Sequence, residues 1–143
     1  MPRVVLDTNV LVAALRSRRG ASFEIISRLG TGAFDAAVSV SLVLEYESAL
    51  LRHMPASPYS EREIRDFIDY VCQASIRQKI FFLWRPFLRD PSDDLVLEVA
   101  VAAGCEAIVT HNVRDFTASQ KLGVRALTPG EFLRKIRRPK WVH

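Results

Sequence analysis

The chain has 143 residues, a net charge of +4, and a composition that is 49% hydrophobic and 25% charged. That size suits one domain with a single sizeable core, and no apolar run is long enough to cross a bilayer as a helix. Two cysteines, Cys72 and Cys105, in neither a CxxC nor a Cys/His cluster, exclude a disulfide framework and a zinc ribbon and read as small buried hydrophobes.

In chain order, RVVLD (3–7) is a β-branched run ending on a carboxylate, the pattern of a buried strand. Asn9 to Arg16 fits a helix with one apolar face, closed by Arg18-Arg19-Gly20. Ser22 caps a second helix through Leu29, and Phe34–Val38 is the next strand. Ser39 or Ser41 opens a helix to about Arg52. Ser60 with Glu63 has the form of a capping box and starts a helix to about Ser75. Lys79–Leu83 reads as a third strand. Asp90-Pro91-Ser92-Asp93 is a turn and cap before a helix from Asp94 to Ala103, closed by Gly104. Ala107–Thr110 and Val124–Leu127 are two further strands, with a short helix over 117–122 between them. Thr128-Pro129-Gly130-Glu131 is a second capping box, with Pro at the first helical position.

Strands alternating with helices imply an α/β fold, a three-layer α/β/α sandwich whose five-stranded sheet is mainly parallel and covered on both faces. One domain is expected over 1–133, followed by a basic tail at 134–143. Arg134, Lys135, Arg137, Arg138 and Lys140 lie in the last ten residues, and without them 15 basic residues face 16 acidic ones. Sixteen of the twenty cations are arginine, the side chain suited to bidentate phosphate contact. A basic tail of this kind grips nucleic acid or an acidic partner, or is a solvated terminus. No signal-peptide pattern is present, so the cytoplasm is the expected compartment, with no membrane contact.

In parallel sheets ligands bind beyond the carboxyl ends of the strands. That rule selects Asp7, at the end of the first strand, and Thr110-His111-Asn112, at the end of the fourth. Glu45 on the helix after strand two and Asp94 before strand four can reach the same edge. Asp7, Glu45, Asp94 and Asp115 each adjoin apolar sequence. Two carboxylates about 5 Å apart repel by roughly 3 kcal/mol at an effective dielectric near 20. A cluster of them takes up protons or binds a cation. Oxygen ligands alone favour Mg²⁺ or Mn²⁺ over zinc. Taken singly, each acid has an ordinary explanation: a helix cap for Asp7 or Asp115, a solvated face for Glu45, dipole complementarity for Asp93 or Asp94.

Together they form a pattern. VVLDTNVLVAAL at the start, SVSLVLEYESAL, DPSDDLVLEVAVAAGCEAIVTHNVRDF and GVRALTPGEFL run in order over nearly the whole chain. This pattern resembles the PIN-domain nucleases, above all the small proteins classed as toxins of toxin–antitoxin pairs, relatives of the VapC ribonucleases. The resemblance implies metal-dependent hydrolysis of RNA phosphodiester bonds with Mg²⁺ or Mn²⁺. Asp7, Glu45 and Asp94 match the metal-binding acids, and Asp93 is a neighbour able to replace Asp94. Many PIN domains read T-x-D-x-D-F at the fourth position. Here Thr110-His111-Asn112-Val113-Arg114-Asp115-Phe116 leaves Asn112 uncharged and makes Asp115 the candidate fourth acid. Thr8, Asn9, Ser41 and Thr110 are supporting groups by hydrogen bonding. Arg16 and Arg19, with Arg18, end the first helix and are expected at the rim of the cleft against RNA phosphates.

The resemblance further implies an antitoxin partner and a homodimer, with Phe81, Phe82 or Trp84 as candidate contacts. Trp84 and Trp141 are also candidates for stacking on bases. The rival reading is a catalytically weak or silent PIN-fold module that binds RNA or antitoxin. A phosphohydrolase of the haloacid dehalogenase type would need a second acid where Asn9 stands.

Overall fold

A computed structural model of the chain describes residues 1–81 and 87–137. Its centre is a five-stranded sheet in the order β3-β2-β1-β4-β5. The strands are β1 (Arg3–Leu6), β2 (Asp35–Val38), β3 (Ile76–Arg77), β4 (Ala107–Val109) and β5 (Arg125–Leu127). All four pairings are parallel, so the sheet is parallel throughout rather than mainly so. Central parallel strands are covered on both faces and therefore read as continuous apolar runs. Val4, Val5, Leu6, Ile108 and Val109 are accordingly buried.

Six α-helices fill the connections: α1 (Thr8–Arg16), α2 (Ala21–Ser27), α3 (Val40–Arg52), α4 (Glu61–Ala74), α5 (Pro91–Ala102) and α6 (Pro129–Arg137). The chain moves from β1 to β2 to β3 in one direction, then returns past β1 to β4 and β5. Right-handed crossovers therefore put α1 to α4 on one face and α5 on the other. The contacts agree: α1 packs on α2 and α3, α3 on α4, α2 on α6, and α5 against β1, β2 and β4.

The helix starts follow local chemistry. Ser39 accepts the Leu42 N–H at the head of α3. Ser60 and Glu63 close a reciprocal capping box on α4, and Thr128 with Glu131 does the same for α6. Caps of this kind contribute on the order of 1 kcal/mol each. Ile64, Ile68 and Val71 at helical spacing bury one face of α4. In α3, Leu42, Tyr46, Ala49 and Leu50 do so, and the buried Tyr46 hydroxyl donates to the Leu6 carbonyl at 2.5 Å. Burial first, and then the charge of Asp7, push this phenol well above its ordinary range, so it stays a donor.

Several expectations change. Among the described residues the third strand is Ile76–Arg77, paired with Ala37 and Val38 and ahead of Lys79, while Phe82 and Leu83 of the expected run lie outside the described residues. Phe81, within the expected strand, is 81% exposed. Gly20, not Ser22, caps α2. The short helix over 117–122 is the end of a 3₁₀ segment, Val113–Leu122, kinked at Phe116. The boundary at 134 also moves, since Arg134, Lys135 and Arg137 belong to α6. Lys135 pairs with Glu106 at 3.0 Å, and Arg137 pairs with Glu24 of α2. Phe82 and Trp84, and Arg138, Lys140, Trp141 and His143, lie outside the described residues. Among the described residues no helix is long and apolar enough to cross a membrane.

Candidate active site at the switch point of the sheet

The strand order reverses between β1 and β4, the place where an open parallel sheet leaves a crevice at its carboxyl edge. Leu6 lies beside Val109 in register, and the Asp7 N–H donates to the Val109 carbonyl at 2.9 Å. The residues after the two strands, Asp7 and Thr110, are thereby set side by side.

A small hydrogen-bonded clasp joins them. The Thr110 hydroxyl donates to Asp7 Oδ2 at 2.7 Å, and the Thr8 N–H donates to Asp7 Oδ1 at 2.8 Å. Thr110 Oγ1 in turn accepts from the Asn112 N–H at 3.0 Å and from the Asn9 amide at 3.4 Å. A hydroxyl has one proton and two lone pairs, and here all three are engaged. Asn9 Oδ1 also accepts the His111 N–H at 3.2 Å. The clasp thus fixes which way each oxygen of Asp7 faces. Thr8 acts through its backbone and Asn9 through its side chain.

The electrostatics of this corner are one-signed. Asp7 is 7% exposed. Its burial raises its pKa against the lowering effect of the Thr110 and Thr8 hydrogen bonds, and Asp115 and Asp90 push it further up. Asp93 is pushed up to about 7, by burial first and then by Asp7, Asp90, Asp115 and Asp94. Among the described residues no Arg or Lys pairs with Asp7, Asp93 or Asp115.

A family model described as PIN domain matches residues 3–114. The chain belongs to the PIN-domain family. No curated protein matches the chain. Among solved structures, a chain from the crystal structure of VapBC2 from Rickettsia felis, bound to a DNA fragment from their promoter, superposes with a TM-score of 0.59 at 17% identity. The match covers 87% of this chain and 98% of that one, and it shows the shared fold.

Within this PIN domain the expected site residues separate into two groups. Asp115, in the exposed first turn of the 3₁₀ segment, raises both Asp7 and Asp93, and Asp7 raises Asp93. Asp94 is turned the other way. It is 2% exposed, and its two oxygens accept the N–H groups of Leu88 at 2.9 Å and Phe87 at 3.3 Å. Successive helical residues lie about 100° apart, so Asp94 meets the preceding loop while Asp93, half-buried one residue earlier, takes the charges of Asp7, Asp90, Asp115 and Asp94. Glu45 is half-buried and pairs with Arg52 at 3.8 Å, and it is not among the leading charges on Asp7 or Asp93. Its neighbour Tyr46 is the residue that leans on β1.

Ser41 is exposed in the first turn of α3, where Ser39 takes the capping role. Asn112 is exposed, with its backbone held by Thr110. Because α1 starts at the carboxyl edge, its last residue lies about 12 Å along the helix, and there Arg16 bonds His53 at 2.9 Å. Arg18 and Arg19 are exposed. Asp90 is the acid the sequence reading missed as a site residue. It caps α5 by accepting the Ser92 N–H, yet its charge acts on both Asp7 and Asp93. Its signal was the first acid of DPSDD.

Among the described residues no three His, Cys, Asp or Glu side chains form a ready-made cage for a metal ion. Mg²⁺ does not require one, because it commonly uses one or two carboxylates, keeps several waters, and takes further oxygens from substrate phosphates. Oxygen-only donors of like charge beside an open edge fit such a cation and disfavour zinc.

Proposed function

We propose that this PIN domain is a divalent-cation-dependent endoribonuclease and the toxin of a toxin–antitoxin pair. The observation that carries the reading is the buried Asp7, clasped by Thr8 and Thr110 at the switch point, whose charge adds to burial in pushing Asp93 up to about 7. Asp7 and Asp93 are the principal ligands for Mg²⁺ or Mn²⁺, with Asp115 as the additional acid. Asp94 instead holds the loop ahead of α5, and Glu45, which pairs with Arg52, is a further candidate acid. When bound, the cation offsets charge on the phosphodiester and lowers the pKa of an attacking water. Thr110 orients one oxygen of Asp7, and the Thr8 N–H the other. Asn9 and Asn112 complete the order around Thr110.

The antitoxin partner is inferred from the VapBC2 neighbour, which was solved as a pair. A homodimer and a cytoplasmic location belong to the same reading.

Purified protein is expected to cleave single-stranded RNA with Mg²⁺ or Mn²⁺ and to stop when EDTA is added. Asp7→Asn should abolish cleavage while leaving the circular dichroism unchanged. Equal cleavage by that variant, or none by the wild type, would remove the enzymatic reading. The rival, a silent module that binds RNA or antitoxin, draws on the lack of a preformed ligand cage among the described residues. It is distinguished by RNA binding without turnover.

A further inference from the structure

His111 follows Thr110 at the carboxyl end of β4. Alternation along the strand sends its side chain away from that of Thr110, and it arrives at α2. There His111 Nε2 lies 2.9 Å from Ser22 Oγ. Its backbone N–H is held by Asn9. Ser22 is buried, while His111 is exposed.

The bond satisfies the buried Ser22 hydroxyl, whereas an exposed imidazole is served by water and does not need it. The bond restricts an exposed ring to one orientation, at a cost in side-chain entropy. It does so at the lip of a site whose other charged groups are carboxylates, which repel phosphate. His111 and Asn112 are the donor-bearing side chains that flank Thr110 on its C-terminal side. A neutral imidazole carries one N–H. In the tautomer that accepts from the Ser22 hydroxyl at Nε2, that proton sits on Nδ1.

We propose that His111 is a substrate-contact residue. Its ring donates a hydrogen bond to the phosphodiester adjoining the scissile one, and the buried Ser22 is the positioning residue that fixes its orientation. The proposal rests on the ribonuclease reading. It adds a contact that sets how RNA is held rather than how the bond is broken.

The test uses full-length protein and a fluorescein-labelled single-stranded RNA of mixed sequence. Steady-state cleavage is measured with Mn²⁺, binding is measured by anisotropy, and thermal stability is followed alongside. His111→Ala is expected to raise KM roughly tenfold, the size of one hydrogen bond to a charged group, and to move kcat far less. Ser22→Ala should raise KM in the same direction by a smaller factor. His111→Gln, which keeps an N–H on a side chain of similar reach, should recover part of the loss. A lowered melting temperature with KM unchanged would make the bond a mere staple of α2 to the sheet, and would overturn the proposal. So would a loss confined to kcat. If the wild type cleaves nothing, the nuclease reading falls, and anisotropy still decides the contact. Weaker binding by His111→Ala supports it, and equal binding overturns it.

Discussion

The carboxyl edge between β1 and β4 and the outer face of α6 handle charge in opposite ways. On α6, cations meet acids: Lys135 faces Glu106, and Arg137 faces Glu24, which also pairs with Arg28. At the carboxyl edge the charges of Asp7 and Asp115 act on Asp93, and among the described residues no Arg or Lys pairs with any of the three. Exposed pairs such as those on α6 contribute little to stability. Like charges held close and partly out of water cost stability, and a fold keeps them where another ligand completes the charge balance. The same element type, a helix packed at the sheet, thus serves as a solvated surface in one place and as a site wall in the other.

The contrast breaks most visibly at Asp7. Asp7→Asn is expected to lower metal-dependent RNA cleavage on the order of a hundred- to a thousandfold, with a melting temperature equal to or above that of the wild type. A large fall in stability would mean that the carboxylate is structural after all.

The next effect separates two adjacent residues. Asp93→Asn should remove most activity and leave the fold intact. Asp94→Ala should destabilise by about 3 kcal/mol, because two N–H groups under the loop lose their acceptor. Urea unfolding of both variants beside their cleavage rates reads the difference. The reverse assignment would restore Asp94 as the ligand.

The pH dependence follows from Asp93. Its folded pKa, near 7, lies above the unfolded value near 4. Its contribution to stability is therefore fully present below about pH 4 and is lost as the pH rises through about 7. The melting temperature of Asp93→Asn relative to wild type should thus climb between pH 4 and pH 8. Mg²⁺ should stabilise the wild type at pH 8 and much less at pH 5, where protons occupy the cluster. A flat difference across that range would place Asp93 outside the coupled group.

The smallest effect belongs to the α6 face. Glu24→Gln is expected to shift the melting temperature by little more than the error of a thermal melt, and its response should weaken in salt.

Most of the architecture was legible in the chain. The capping boxes at Ser60 and Thr128, the β-branched run of β1 and the helical spacing of α3 and α4 are local signals, and local signals survive folding. β3 was misplaced because a two-residue edge strand has almost no pattern of its own, while the apolar sequence after it imitates one. Asp7 could be named from its place at the end of an apolar strand. Whether Asp93 or Asp94 faces the crevice depends on about 100° of helix phase, which two adjacent acids do not encode. Glu45 fits the family pattern, but its orientation is set by how Tyr46 meets Leu6, a contact across 40 residues. For Arg16 the charge was evident, but the end of α1 that borders the site was not.

The most direct test of the acid pair is a crystal structure of the protein soaked in Mn²⁺, with the ion located by its anomalous scattering. The expected result is a peak within coordination distance of Asp7 and Asp93, with Asp94 still accepting from Phe87 and Leu88. A crevice between β1 and β4 with no peak at saturating Mn²⁺, or an ion held elsewhere on the molecule, would contradict it.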